Sequence, residues 1–593
     1  MIGAQEIVIE AGHTERNYWR DLFRYRERSY FLASRGRFAV AVILLGFPVF
    51  AWSADAESGA KHGLDFLVGE HGLDSLSFNG QSLLASPVGG ELQPAKSPFR
   101  KGVDAVLQTP SSLATRGQGK DAVDLAYSWG SVSCAYAKKG ENGIVMRIGV
   151  TNSSKDPISD VSLRFMELTF PSAPEGATLE AGMFGFGFKG NPSRMGMNSL
   201  LADPDSVVPI DRVDYGNSTL NFCSDDLECL VGVLYPTNPP ATTSYSFLGA
   251  CRNVEPGTTK TFTVSLRFGP SGSSVRDLSG DVLKRYADKY PFQVKWTDHR
   301  PIGAIYLASS GIKVPTNPRR WIVNEGKIDI TTDEGKSSFR EALLKLADAS
   351  VNVLEDCHAQ GMITWDPEGQ EFLGACYYGD PRLTSTLAPE MEFKGSSPSS
   401  TVDAYFQRFR AAGLKVGVCI RPQQITMFDG KPAQGVADDE HAAKVLKDKI
   451  EYAKKRWGCT LFYIDSTVGK THLALSPDVF KTVAEADPDV LLMPENESMR
   501  YFAYSAPLNS YVHHKITSTP IGARSVYPKA FSVLLAPEGY RPEDNDALVE
   551  AVRNGDILIF NSWYQNPGIT KVKEIYGEAA VAKATATPQP GSP

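Results

Sequence analysis

Lys415–Pro422 (KVGVCIRP), Cys459–Asp465 (CTLFYID) and Asp489–Glu497 (DVLLMPENE) decide how the second half of this 593-residue chain folds. Each is a short apolar run that ends in charged or polar residues. Helix-like stretches, Asp438–Arg456 and Ser476–Asp487, lie between them. Strands alternating with helices at this spacing indicate parallel βα units. In barrels built from such units the active site lies where the strands end, so an acid at a strand tip is a catalytic candidate. Asp465 and Glu495 occupy the tips of consecutive predicted strands.

The same cadence continues on both sides. It predicts strands at Ile302–Ala308, Met362–Asp366, Lys415–Arg421, Cys459–Asp465, Val490–Pro494, Phe531–Ala536 and Ile557–Ser562, with a weaker sixth near His514–Thr517. Helices are expected at Ser338–Asp348, Val402–Ala412, Ala442–Arg456 and Asp546–Asn554. A stretch of about 280 residues suits a (β/α)8 barrel, whose usual length is roughly 250. Upstream, Gly63 to Phe292 reads as short alternating or apolar runs, such as Ile144–Thr151 and Thr259–Phe268, separated by Gly, Pro, Asn and Ser. That text argues for a large antiparallel sandwich. Val275–Tyr290 is its one clear helical pattern and reads as a connector. The expected organisation is a leader over residues 1–56, a β-sandwich domain over 63–295, a barrel over 296–578 and a disordered tail over 579–593.

Composition excludes several functions. A net charge of −7, from 61 basic and 68 acidic residues, gives no electrostatic footprint for nucleic acid, and no basic stripe lies outside the N-terminus. No Walker motif, dinucleotide fingerprint or nucleophile elbow is present, and no Cys or His spacing suggests a metal. No cofactor is expected. Among the eight cysteines, Cys223 and Cys229 bracket a turn and are candidates for a disulfide in an exported protein.

The N-terminus carries two signals. Phe38–Trp52 (FAVAVILLGFPVFAW) follows Arg35 and Arg37 and precedes small residues, as in a secretory signal with cleavage after Ala54 or Ala56. An exported protein, periplasmic or extracellular, is expected, with an uncleaved anchor through residues 38–52 as the alternative and the sole route to membrane contact. His13–Leu32 resembles the cytoplasmic start of ABC-type polysaccharide-export permeases, although no permease helices follow. A misplaced start codon or an upstream fusion would explain that resemblance, and a short cytoplasmic tail before an uncleaved anchor is the rival reading.

Several residues join the two acids. Arg421, at the third strand tip, would hold Asp465 ionised or bind hydroxyls. Glu497 shares a face with Glu495 in an extended segment, so either is a candidate proton donor. Glu497 alternatively belongs to the first turn of the next helix. Trp365, Asp366 and Glu368 end the second strand, and a long loop with Tyr378 and Asp380 follows. A carboxylate beside an indole suits a sugar, since the acid accepts from hydroxyls while the ring covers C–H faces. The competing reading of this loop is a solvated acidic surface.

Ala412–Pro422 (AGLKVGVCIRP) and Arg456–Asp465 (RWGCTLFYID) resemble the third and fourth strands of melibiase-type α-galactosidases and their clan. Gly72–Leu84 (GLDSLSFNGQSLL) resembles the opening of that clan's N-terminal β-supersandwich. The resemblance implies a β-supersandwich followed by a (β/α)8 barrel, with Asp465 as nucleophile and Asp366 as a sugar-binding acid. Two features depart from the clan: Tyr463 stands where it has a lysine, and the sixth strand offers no clear acid. Glu495 on the fifth strand is instead similar to the acid of α-amylases and endo-α-N-acetylgalactosaminidases. The implied activity is a retaining glycoside hydrolase for α-linked glycans, with carbohydrate as the partner. The alternatives are a non-catalytic carbohydrate-binding or polysaccharide-export accessory protein, or an inverting glycosidase.

Overall fold

The computed structural model describes residues 63–69, 72–83, 92–93, 112–116, 121–169, 179–180, 208–214, 218–234, 244–308, 314–324, 327–369, 388–428, 431–435, 437–467, 475–496, 498–510, 519–535, 542–561 and 567–586. The expectations for the leader, and for Tyr378, Asp380 and Glu497, lie outside these residues. Among the described residues no helix is long and apolar enough to cross a membrane.

Residues 63–270 form antiparallel sheets of eight, four and three strands. Alternation sets their faces. In Thr259–Pro270, Phe262, Val264, Leu266 and Phe268 enter a core shared with Leu64, Leu76, Ile148 and Val231. Ser265 and Arg267 point the other way and are also buried, because helix α1 (Val275–Lys289) covers that face. There Arg267 donates to Asp225 at 2.5 Å and bonds Asp281 of α1. α1 is kinked at Ser279, whose buried hydroxyl accepts from Asn221 at 3.0 Å.

Cys223 and Cys229, the candidate pair, are not joined by a disulfide. Cys223 packs in the core that includes the parallel sheet and Cys229 in that of the antiparallel sheets. Cys223 Sγ lies 3.2 Å from Ser265 Oγ, and burial pushes its thiol up to about 11.

The second half is a parallel sheet of eight strands: β1 (Ile302–Tyr306), β2 (Gly361–Trp365), β3 (Lys415–Ile420), β4 (Cys459–Ile464), β5 (Leu491–Pro494), β6 (Leu508–Ser510), β7 (Val533–Leu535) and β8 (Ile557–Asn561). Their order is β5-β4-β3-β2-β1-β8-β7-β6, so the first strand pairs with the eighth. The gap between β5 and β6 is crossed by Ala506 N–H donating to Leu492 O at 2.9 Å. The result is a near-closed parallel barrel. Its strands are buried along nearly their whole length, as expected where helices cover one face and the interior the other.

Among the described residues, helices follow seven of the strands: α2 (Asp333–Asp356), α3 (Thr401–Ala411), α4 (Asp439–Trp457) and α5 (Pro477–Ala486) after β1 to β4, and α6 (Ile521–Val526), α7 (Asn545–Arg553) and α8 (Pro567–Ala586) after β6 to β8. α4 illustrates why. Ala442, Leu446, Lys449, Ile450, Ala453 and Trp457 recur at helical spacing and are buried. Asp438 caps its first turn by accepting from His441 N–H, and Gly458, in the left-handed region at φ 73°, ends it.

The sixth described strand is Leu508–Ser510, and the expected strand near His514–Thr517 lies outside the described residues. The small-residue tail is helical to Ala586, within the helix Pro567–Ala586. Its alanines are the strongest helix formers, which outweighs their resemblance to a disordered composition.

Candidate active site

Register builds the site. Ile420 of β3 pairs with Ile464 of β4, and Ile464 pairs with Pro494 of β5. The next residue on each strand, Arg421, Asp465 and Glu495, therefore stands level on three neighbours spaced about 4.8 Å apart. Backbone bonds carry the ladder through the tips: Asp465 N–H donates to Ile420 O and Glu495 N–H to Ile464 O, each at 2.9 Å.

The two acids are held by different means. Asp465 Oδ2 accepts from Arg421 Nε at 2.7 Å and lies 2.5 Å from another guanidinium nitrogen. Glu495 Oε2 accepts from the backbone N–H of Ser466 at 2.8 Å. Ser466 occupies the left-handed region at φ 56°, unusual for a residue with a side chain, and its hydroxyl lies 3.4 Å from Asp465 Oδ1. One serine thus touches both carboxylates. Around it, Gln423 Nε2 donates to Ser466 O at 2.8 Å, and Asn496 donates to Thr467 Oγ1 through both its N–H and its amide. From below, buried Lys449 of α4 donates to Arg421 O at 2.9 Å and Gln423 O at 3.1 Å.

Aromatic rings line the neighbouring tips. Tyr306 and Trp365 pair in register and stack at 4.7 Å, and Trp365 meets Tyr463 at 5.2 Å. Burial, with the carboxylates of Glu495 and Asp465 nearby, pushes the Tyr463 phenol well above its ordinary range. Tyr463 is therefore a neutral hydroxyl beside the two acids.

Asp366 and Glu368 follow Trp365 and are both buried, so the strand-2 turn is not a solvated acidic surface. Asp366 adopts φ 57°, the second left-handed non-glycine residue on this rim, and its carbonyl accepts from Gly369 N–H at 2.9 Å. The turn packs tightly: a Cβ on Gly369 would lie 2.7 Å from Arg319 Cβ and 3.0 Å from the Trp321 ring. Buried Glu390 accepts from Trp321 Nε1 at 2.5 Å and Arg319 at 3.2 Å, and burial raises its carboxyl against the opposing Arg319 charge.

The structure thus brings together Arg421, Asp465 and Glu495, with Trp365 joined to them through Tyr463. Ser466, Tyr306, Gln423, Asn496 and Lys449 complete the site without a sequence signal that singled them out. Among the described residues no group of three His, Cys, Asp or Glu side chains is arranged to hold a metal ion.

No family model matches the chain, and no curated protein matches it. Solved structures do. A substituted GH36 α-galactosidase, AgaA of Geobacillus stearothermophilus in complex with raffinose, is 10% identical over 86% of this chain and 78% of its own, with a TM-score of 0.41. The α-N-acetylgalactosaminidase NagBb of Bifidobacterium bifidum is 10% identical over 85% of this chain and 89% of its own, with a TM-score of 0.47. The α-L-fucosidase isoenzyme 1 of Paenibacillus thiaminolyticus covers 50% of this chain and 76% of its own at 15% identity and a TM-score of 0.25. All three are glycoside hydrolases.

Proposed function

We propose that this chain is a retaining glycoside hydrolase for α-linked glycans, with an N-terminal β-supersandwich over residues 63–295 and a (β/α)8 barrel over 296–578. The observation that carries the reading is the pair Asp465 and Glu495. Two carboxylates stand on adjacent strand tips, bracket one serine, and are held separately, one by a guanidinium and one by a backbone N–H.

Retaining hydrolysis needs this division. Asp465 attacks the anomeric carbon while the bond to the leaving oxygen breaks, and Glu495 passes its proton to that oxygen. Water then attacks the glycosyl-enzyme ester, giving its proton to Glu495 and releasing Asp465. Buried Asp366, beside the Trp365 indole, is suited to sugar hydroxyls. Trp365, Glu368 and the Tyr378–Asp380 segment complete the proposed substrate contacts. Phe38–Trp52 supports export.

The test is to incubate the protein with α-linked aryl glycosides and polysaccharides and follow the first-formed anomer by proton NMR. Retention is expected, together with mass labelling of the Asp465 peptide by a slow-releasing fluoro-sugar. An inverted anomer would replace the covalent mechanism with inversion. Sugar binding without turnover would favour the carbohydrate-binding protein.

A further inference from the structure

We infer that Arg421 is a positioning residue that assigns Oδ1 of Asp465 as the attacking oxygen and speeds breakdown of the glycosyl-enzyme, rather than a ligand for sugar hydroxyls. The inference rests on the glycosidase reading above.

Two guanidinium nitrogens converge on one oxygen, Oδ2, at 2.7 and 2.5 Å. Among the described residues, the other oxygen, Oδ1, has only the Ser466 hydroxyl at 3.4 Å, a long contact. The arginine is fixed in place, since its carbonyl accepts from buried Lys449 and the pair is largely shielded from solvent. Attack through Oδ2 would require breaking a charge-assisted contact, whereas attack through Oδ1 leaves it intact.

The consequence is asymmetric between the two steps. In the first, Oδ1 bonds to the anomeric carbon, the leaving oxygen takes the proton of Glu495, and Oδ2 becomes the ester carbonyl oxygen. Negative charge leaves Asp465, so the Arg421 cation does not help this step. In the second, water gives a proton to Glu495 and adds to the anomeric carbon, the C–Oδ1 bond breaks, and the electron pair returns to the carboxylate beside Arg421. The guanidinium stabilises that returning charge. Loss of Arg421 should therefore slow the second step selectively.

The test uses Arg421→Met and Arg421→Lys in the full chain with an activated aryl glycoside. For Arg421→Met, kcat and KM should fall together, roughly 10- to 100-fold, the size of one charge-assisted hydrogen bond, while kcat/KM changes little. A pre-steady-state burst approaching one product per enzyme should accompany the fall. Arg421→Lys should be intermediate, and added guanidinium should restore turnover in Arg421→Ala. A raised KM with lowered kcat/KM and no burst would overturn the inference and make Arg421 a sugar ligand. A separate arm needs no activity: carbodiimide labelling of Asp465, read by peptide mass, should be at least several-fold faster in Arg421→Met. If the wild type cleaves no glycoside, the glycosidase reading falls, while unchanged labelling would overturn the Arg421–Asp465 assignment by itself.

Discussion

Glu495→Gln isolates proton donation from every other property of that side chain. The amide retains an oxygen that can accept from Ser466 N–H, now bonded to Glu495 Oε2 at 2.8 Å, so the side chain keeps its position. Its other atom becomes an amide nitrogen, which can donate a hydrogen bond but is too weak an acid to transfer a proton to a leaving oxygen. General acid catalysis contributes roughly 10²- to 10⁴-fold, or about 3–5 kcal/mol at ~1.36 kcal/mol per decade. That whole loss should appear in kcat/KM for substrates with poor leaving groups, such as alkyl glycosides or disaccharides. An activated aryl glycoside needs little protonation, so its kcat/KM should fall less than about tenfold. The assay is a leaving-group series at constant sugar, with azide added. Azide should accelerate deglycosylation and give a product of retained configuration. Glu495→Ala is the structural comparison, because it leaves the Ser466 N–H without its acceptor, at a cost of about 1–3 kcal/mol in stability. Equal losses for good and poor leaving groups at Glu495, with the dependence appearing in Glu497→Gln instead, would show that the other glutamate is the acid.

Two further predictions concern the frame of the barrel. Asp298 accepts from Arg300 and Lys415 and is held well below the usual carboxylate range, by those hydrogen bonds working against partial burial. A depressed carboxyl adds stability above its unfolded value near 3.9 and loses it as pH falls. Asp298→Asn should therefore lower stability by about 1 kcal/mol at neutral pH, with the difference from wild type shrinking below about pH 4. Equal destabilisation at pH 7 and pH 2.5 would refute the electrostatic account. Gly417 sits in β3, where an added Cβ would lie 2.1 Å from Leu461 O and 2.5 Å from Leu461 Cβ of β4. Because the obstacle is backbone, Gly417→Ala should cost about 3 kcal/mol, the upper end for overpacking, and lower the thermal midpoint. An unchanged midpoint would mean that the two strands separate freely, and that Arg421 and Asp465 are not rigidly aligned.

The strand tips were legible because parallel βα units place consecutive strands side by side. Asp465 and Glu495, 30 residues apart, had to become neighbours once β4 and β5 were recognised, and the apolar runs marked both strands. The sixth strand was the least legible: Leu508–Ser510 was not read as a strand, and the expected His514–Thr517 lies outside the described residues. Cys223 and Cys229 looked bridgeable from their spacing, but alternation along Ser218–Ser224 turns Cys223 to the face opposite Phe222, away from the core that holds Cys229. The burial of Asp366 and Glu368 was also invisible, since it depends on Arg319 and Trp321 packing across the strand-2 turn.

Ser466 shows most clearly why a site is harder to read than a fold. Nothing in a Ser following an Asp signals a left-handed backbone, which costs of order 1–3 kcal/mol for a non-glycine residue and persists only where surrounding contacts impose it. Here Gln423 holds its carbonyl and Glu495 its N–H. That conformation turns the Ser466 N–H toward β5 while leaving its hydroxyl near Asp465 on β4. The serine is thus oriented by both neighbours at once, through Gln423 of the β3 tip and Glu495 of the β5 tip. A shift of any one strand would disturb the relation between the two acids. The alignment of three tips, each supplying one charged residue, therefore depends on the register of β3, β4 and β5, and Ser466 is where that register becomes chemistry.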